Sequence, residues 1–176
     1  STASYHKGGL FLTQLEYLIG RENTRKTLKR FFNEFKFRHP TPNDIKRTAE
    51  RVSGAELDWY LTDWTKTTNT IDYAIKSFEN NAISLERIGR TPMPIDILVE
   101  YTDGSKESFY IPLKMMYFQK ENPSPTIKRT VLKDWSWAEQ TYTLQLPNQS
   151  TVKKITIDPS GFMADVKLQN NTLEVK

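Results

Sequence analysis

Apolar residues recur at helical intervals along the first third of the chain, and past residue 70 they recur at every second position. Leu10, Phe11, Leu15, Leu18 and Ile19 share one face at 3.6-residue spacing, and Gly20 is placed to end that helix in a left-handed conformation. A second helix is predicted from about Asn23 to Phe37, with Leu28, Phe31, Phe32 and Phe35 as its packed face and Arg25, Lys26, Lys29 and Arg30 outside. The third has the clearest start. Thr41 can cap, Pro42 suits the first turn, and Asp44 sits where a capping box places its acid. It should run to about Val52 and stop at Ser53-Gly54. A fourth, about Glu56 to Lys66, carries Leu57, Tyr60, Leu61 and Trp64.

After Thr67-Thr68-Asn69-Thr70 the period changes to two. Ile71, Tyr73 and Ile75 alternate with Asp72, Ala74 and Lys76, and Ile95, Ile97, Val99 and Tyr101 form a second alternating set. Asp103-Gly104 predicts a hairpin turn into 108–111. Further strands are predicted at 140–146, 153–157 and 172–175. The segment Lys120–Lys133, with Pro123 and Pro125, reads as a surface loop. The fold class is therefore α+β: a helical region over 1–70, then an antiparallel, immunoglobulin-like β-sandwich over 71–176.

Composition narrows this only a little. Apolar residues make up 37% of the 176 and 21 are aromatic, enough for a packed core. There is no 18-residue apolar run, hence no membrane span, and the first residues lack a secretory-signal pattern. Cysteine is absent, which removes disulfides and thiolate metal sites. Residues 1–70 carry 12 Lys/Arg against 8 Asp/Glu and hold the whole basic surplus, since 71–176 has 13 of each. The row Arg25, Lys26, Lys29, Arg30 invites a nucleic-acid reading, but the phenylalanines beside it sit at core spacing and the surplus is small; no nucleic acid is expected.

The other candidate groups have plain readings. His6 and His39 lie 33 positions apart, without the short spacing of a zinc helix, and no H-E-x-x-H exists in the chain. Asp44 reads as a helix cap, and Asp158 in Asp158-Pro159-Ser160-Gly161 as a turn residue; Asp165 could join Asp158 in a carboxylate site. Trp135 and Trp137 would share a face if their segment were extended, filling an inter-sheet core or offering a binding surface.

Tyr5-His6-Lys7-Gly8-Gly9 at the head of the first helix resembles the Tyr-x-Lys-Gly segment of zinc aminopeptidases of the aminopeptidase N family. The likeness continues through the helix ending Ile19-Gly20, the Thr41-Pro42-x-Asp44 start, Ser53-Gly54, Trp64 and the β-rich remainder. It implies the helical end of a thermolysin-like catalytic domain followed by the sandwich. It also implies that Tyr5 is the catalytic tyrosine, donating a hydrogen bond to the oxyanion of the tetrahedral intermediate. In that family zinc polarises the carbonyl and activates water, and a glutamate on the zinc helix moves the proton. Both lie upstream of the tyrosine motif. The chain is thus expected to be part of a longer enzyme acting on peptide N-termini, partnered by the upstream part of that same chain, with zinc bound there and none here.

Lys7 receives no chemical role, while Gly8 and Gly9 are expected to permit close helix packing. Leu10, Phe11 and Leu15 are expected to lie exposed where upstream helices would cover them. The compartment stays open, an exported or periplasmic protein being compatible. The alternative from another class is a non-catalytic module that binds a protein or glycan through the sandwich around Trp135 and Trp137.

Overall fold

The computed structural model describes residues 2–148 and 150–175, with side chains from Lys7 onward. It is an α+β structure of four helices and two sheets. The chain divides into two compact units, one of Ser1–Asn69 with Leu113–Pro123 and the other of Thr70–Pro112 with Ser124–Lys176.

In the helical unit, α1 (Thr2–Ile19), α2 (Arg21–Phe35), α3 (Pro42–Ser53) and α4 (Asp58–Lys66) follow in order. Helix α1 starts well before Leu10 and runs through Gly8-Gly9. Each glycine costs about 1 kcal/mol in a helix, but extending an existing helix gains one backbone bond per residue. Gly20 (φ 84°) breaks the chain between α1 and α2, and Gly54 (φ 80°) ends α3. Leu15, Leu18, Ile19, Ala49, Leu57 and Tyr60 are buried and form the core. The expectation that Leu15 lies exposed is corrected by that burial; Leu10 alone of its group is exposed.

Helix α2 departs most from the spacing argument. Its buried residues are Thr24 and Thr27, whereas Leu28 and Phe32 point to solvent. Short threonines let α2 approach its neighbours closely, and Thr24 hides its hydroxyl by donating to the Gly20 carbonyl (3.0 Å). Phe31 and Phe35 share that face, half-buried and 5.0 Å apart between ring centroids, while Leu28 and Phe32 are left at its edge.

Residues 113–123 leave the β unit and complete the helical one. Glu56 N–H donates to the Met116 carbonyl (2.9 Å), and the buried Lys120 ammonium donates to the Tyr17 carbonyl (2.9 Å) while lying 3.8 Å from the centre of the Tyr17 ring. The reading of 120–133 as surface loop therefore fails at Lys120. It fails again at Arg129–Val131, which forms a short strand.

The β unit holds a three-stranded sheet, β1 (Tyr73–Glu79), β2 (Ala82–Arg87) and β6 (Thr141–Gln145), in the order β1-β2-β6. The five-stranded sheet runs β5-β4-β3-β7-β8, from β5 (Arg129–Val131), β4 (Lys106–Ile111), β3 (Ile95–Tyr101), β7 (Val152–Ile157) and β8 (Thr172–Glu174). Pairing is antiparallel except β4 with β5, which is parallel and qualifies the all-antiparallel expectation. A connection of 17 residues between them, long enough to return to the same end, makes that possible. The hairpin at Asp103-Gly104 is present, with Gly104 at φ 85° and Asp103 accepting from Ser105 N–H (2.8 Å). Strand β2 was not anticipated. Its turn is Asn80-Asn81, both with positive φ, a geometry that asparagine tolerates in two-residue hairpins.

One glycine is fixed by space. A Cβ on Gly89 would fall 2.3 Å from the Thr70 carbonyl oxygen and 2.5 Å from Asp72 N, both backbone atoms that cannot swing aside. Gly89 N–H also donates to the Asp72 carbonyl (2.9 Å), so residue 89 clamps the chain entering β1. Gly89→Ala should destabilise the β unit by about 1–3 kcal/mol, as overpacking does. A denaturant midpoint unchanged from the parent would contradict this.

Candidate functional site

Tyr5 lies in the first turns of α1, so its backbone is helical; its side chain, like that of His6, is outside the described residues. Further along α1, the packing of the helix on α4 is well defined. The Tyr60 hydroxyl of α4 donates to the Phe11 carbonyl of α1 (2.6 Å), and the two rings stack at 4.9 Å between centroids. Trp64 packs edge-on to both rings, 6.3 Å from Phe11 and 5.9 Å from Tyr60. Burial drives the Tyr60 phenol far above its ordinary range, so it stays a donor. Among the described residues nothing approaches Gly8 or Gly9: a Cβ at either would meet no atom within 4 Å. No helix packs against them here, contrary to the close packing expected of them.

Glu50, Glu56 and Asp58 bring their carboxylates within 4.8 Å of one another where α3 leads into α4. The sequence reading missed this cluster because its members are separated by a helix end and a turn. A cation already serves it. The Lys46 side chain is 8% exposed, bonded to Asp58 and 3.6 Å from Glu50. Burial alone would lower the Lys46 pKa, but the Asp58 hydrogen bond and the charges of Glu50 and Asp58 outweigh it and raise it. The Lys46 hydrogen bond and charge hold the Asp58 carboxyl below its usual range. Glu50 also accepts from Leu57 N–H (3.0 Å) and Glu56 from Asp58 N–H (3.1 Å), satisfying free donors at the start of α4. These groups shape the α3–α4 corner.

Zinc calls for histidine, cysteine or carboxylate ligands around an open coordination position. The chain has no cysteine, His39 is exposed between α2 and α3, and the acidic triad Glu50, Glu56 and Asp58 holds a lysine ammonium. The described residues do not fit a zinc site.

Asp44 is placed as a cap. It accepts from Thr41 N–H (2.7 Å) and from the Thr41 hydroxyl (2.8 Å), and these bonds, the backbone one first, lower its pKa from 3.8. A carboxylate with a depressed folded pKa contributes stability that is present above the unfolded pKa and lost as pH falls through the folded one. Protection of the first α3 amides from exchange should therefore decline as pH drops below about 3.8, and Asp44→Asn should remove that pH dependence. Equal profiles in the two proteins would show that the cap carries no charge-dependent stability.

The other sequence candidates are occupied structurally. Asp158 closes a turn, accepting from the Ser160 hydroxyl and from Met163 N–H (2.7 Å). Asp165 accepts from Tyr73 N–H (2.8 Å) and Lys167 N–H (2.8 Å), which ties the start of β1 to the C-terminal segment. On α2, Arg25 and Lys26 pair with Glu22, and Arg30 pairs with Glu34, which also meets Arg51. A cleft of about 420 Å³ between α2 and α3 is lined by Glu34, Phe35, Asp44, Arg47, Glu50 and Arg51, with both signs of charge along it.

The tryptophans part company. Trp135 is buried, donates to the Glu139 carbonyl (2.9 Å) and packs on Tyr73 and Tyr142. Trp137 is half exposed, with the Arg87 guanidinium 4.5 Å from its ring centre and bonded to its carbonyl (2.6 Å). Their segment is a turn rather than a strand, so residues two apart do not share a face.

In comparisons with known proteins, no family model and no curated protein matches this chain.

Proposed function

We propose that the chain is the part of a zinc aminopeptidase that follows its zinc-binding helix, with Tyr5 as the residue that stabilises the tetrahedral intermediate. The observation that carries this reading is the Tyr5-x-Lys7-Gly8 motif in the opening turns of a helix that Phe11 and Tyr60 clamp to α4. A hydrogen bond to an oxyanion is worth most when its donor does not have to reorganise, and a clamped helix supplies that rigidity. The order of four helices and then sheets also agrees with a thermolysin-like catalytic end followed by a β-sandwich acting as a buttress. Zinc would be bound by residues outside this sequence. The parent's substrates would be peptides with a free N-terminus, and the upstream part of the same protein would be the chain's partner.

The test is aminoacyl-amide hydrolysis by a protein that joins these residues to an H-E-x-x-H helix, measured with and without Tyr5→Phe. Equal turnover in the two would remove Tyr5 from catalysis. A second reading draws on Trp137: with Arg87 against its ring and about half its surface in solvent, it is a ready contact for a protein or glycan. Saturable glycan or protein binding abolished by Trp137→Ala, in a parent without peptidase activity, would favour that reading.

A further inference from the structure

Among the described residues of the helical unit, α2 carries two large apolar side chains left in solvent. Leu28 is 40% exposed and Phe32, one turn on, is 67% exposed, so the two form a ridge along the helix. Phe37, just past the end of α2, is fully exposed and sits at φ 63°. A left-handed phenylalanine is strained and uncommon, and here it gains no burial in return. Exposed apolar ridges of this kind mark contact surfaces more often than isolated apolar residues do.

Charge says what covers the ridge. Residues 21–39 hold seven Lys/Arg against two Glu, a larger excess than the whole chain's. Glu22 and Glu34 are already taken by Arg25, Lys26, Arg30 and Arg51. Arg21, Lys29, Lys36 and Arg38 form no ion pair among the described residues. By helical spacing Arg25 and Lys29 fall in one row, followed by Lys36 at the helix C-cap, beside the Leu28–Phe32 ridge on the side away from the buried Thr24 and Thr27. An apolar ridge with a cationic row along it complements a helix that brings an apolar stripe and a row of carboxylates.

We propose that this face of α2, with Phe37, is the docking surface for an acidic amphipathic helix of a partner protein. The Glu22 carboxylate beside the cationic row, and the Arg25 guanidinium it already holds, favour a protein partner over an anionic bilayer. A second copy of this face would bring like charges together. The proposal stands apart from any role of Tyr5.

The experiment titrates the 176-residue chain with a synthetic helical peptide bearing Leu at i, i+4 and i+7 and Glu at the flanking positions. Binding should saturate, shift the amide resonances of α2, and weaken as salt rises. Phe32→Ser with Phe37→Ser, and separately Lys29→Glu with Lys36→Glu, should each weaken it by at least about tenfold. All four residues are exposed, so circular dichroism should show the fold intact, and Leu168→Ser in the β unit should change nothing. Absent binding, or binding indifferent to the α2 variants, would overturn the proposal. So would sedimentation of the chain with phosphatidylserine vesicles, or its dimerisation, through the same residues in place of peptide binding.

Discussion

Replacing Tyr5 by phenylalanine in a protein that carries both this chain and a zinc helix should lower turnover by about a hundred- to a thousandfold, with far less effect on substrate binding. The substitution removes one hydroxyl and leaves the ring, so helix α1 and its packing should be unchanged. In the ground state the substrate carbonyl carries little charge and gains little from the donor. In the transition state that oxygen approaches a full negative charge, and a donor already in place gains most there. The loss should therefore fall on kcat, with KM close to that of the parent. A variant with near-normal turnover would show that Tyr5 is not the oxyanion donor, and one with raised KM and unchanged kcat would make it a substrate-binding residue instead.

What the sequence disclosed divides along physical lines. Elements with their own local signals were legible: α3, through Thr41, Pro42, Asp44 and Gly54, was bounded to within a residue, and β3 with its Asp103-Gly104 turn was read correctly. Local chemistry decides these features, so a local reading suffices. Helix α2 was found, and Phe31 and Phe35 of its predicted face are half-buried, but Leu28 and Phe32 are exposed because tertiary packing chose Thr24 and Thr27 for the deepest positions. Strand β2 was missed although Asn80-Asn81 was a visible hairpin signal. The incorporation of 113–123 into the helical unit rests on the Lys120–Tyr17 contact, more than a hundred residues apart in sequence, and no window-based argument reaches that far. The acidic corner around Lys46 was hidden for the same reason on a smaller scale.

The two tryptophans show how an expectation fails when its premise does. A shared face for Trp135 and Trp137 required an extended strand; the turn at 137–138 instead leaves one buried and the other half exposed. The motif at Tyr5 belongs to a different category again. Its meaning comes from likeness to a family, and neither period nor burial in this chain would have singled out a tyrosine in the first turns of a helix.

Tyr60→Ala should be the most damaging substitution in the helical unit, costing about 3–5 kcal/mol as aromatic-to-alanine changes in cores do. Tyr60 is fully buried and joins α4 to α1 by its stacked ring and by its hydroxyl bond to Phe11. Alanine would leave a cavity bordered by Phe11, Trp59 and Trp64, all of which now touch the ring. Tyr60→Phe separates the two contributions. It keeps the packing and removes one hydrogen bond, so it should cost only about 0.5–1.5 kcal/mol. Denaturant unfolding followed by tryptophan fluorescence would measure both, since Trp59 and Trp64 lie against the site. If the phenylalanine variant lost as much as the alanine one, the hydroxyl rather than the ring would be what clamps α1. If neither lost stability, α1 would not be held by α4 at all, and the rigid support invoked beneath Tyr5 would have no basis.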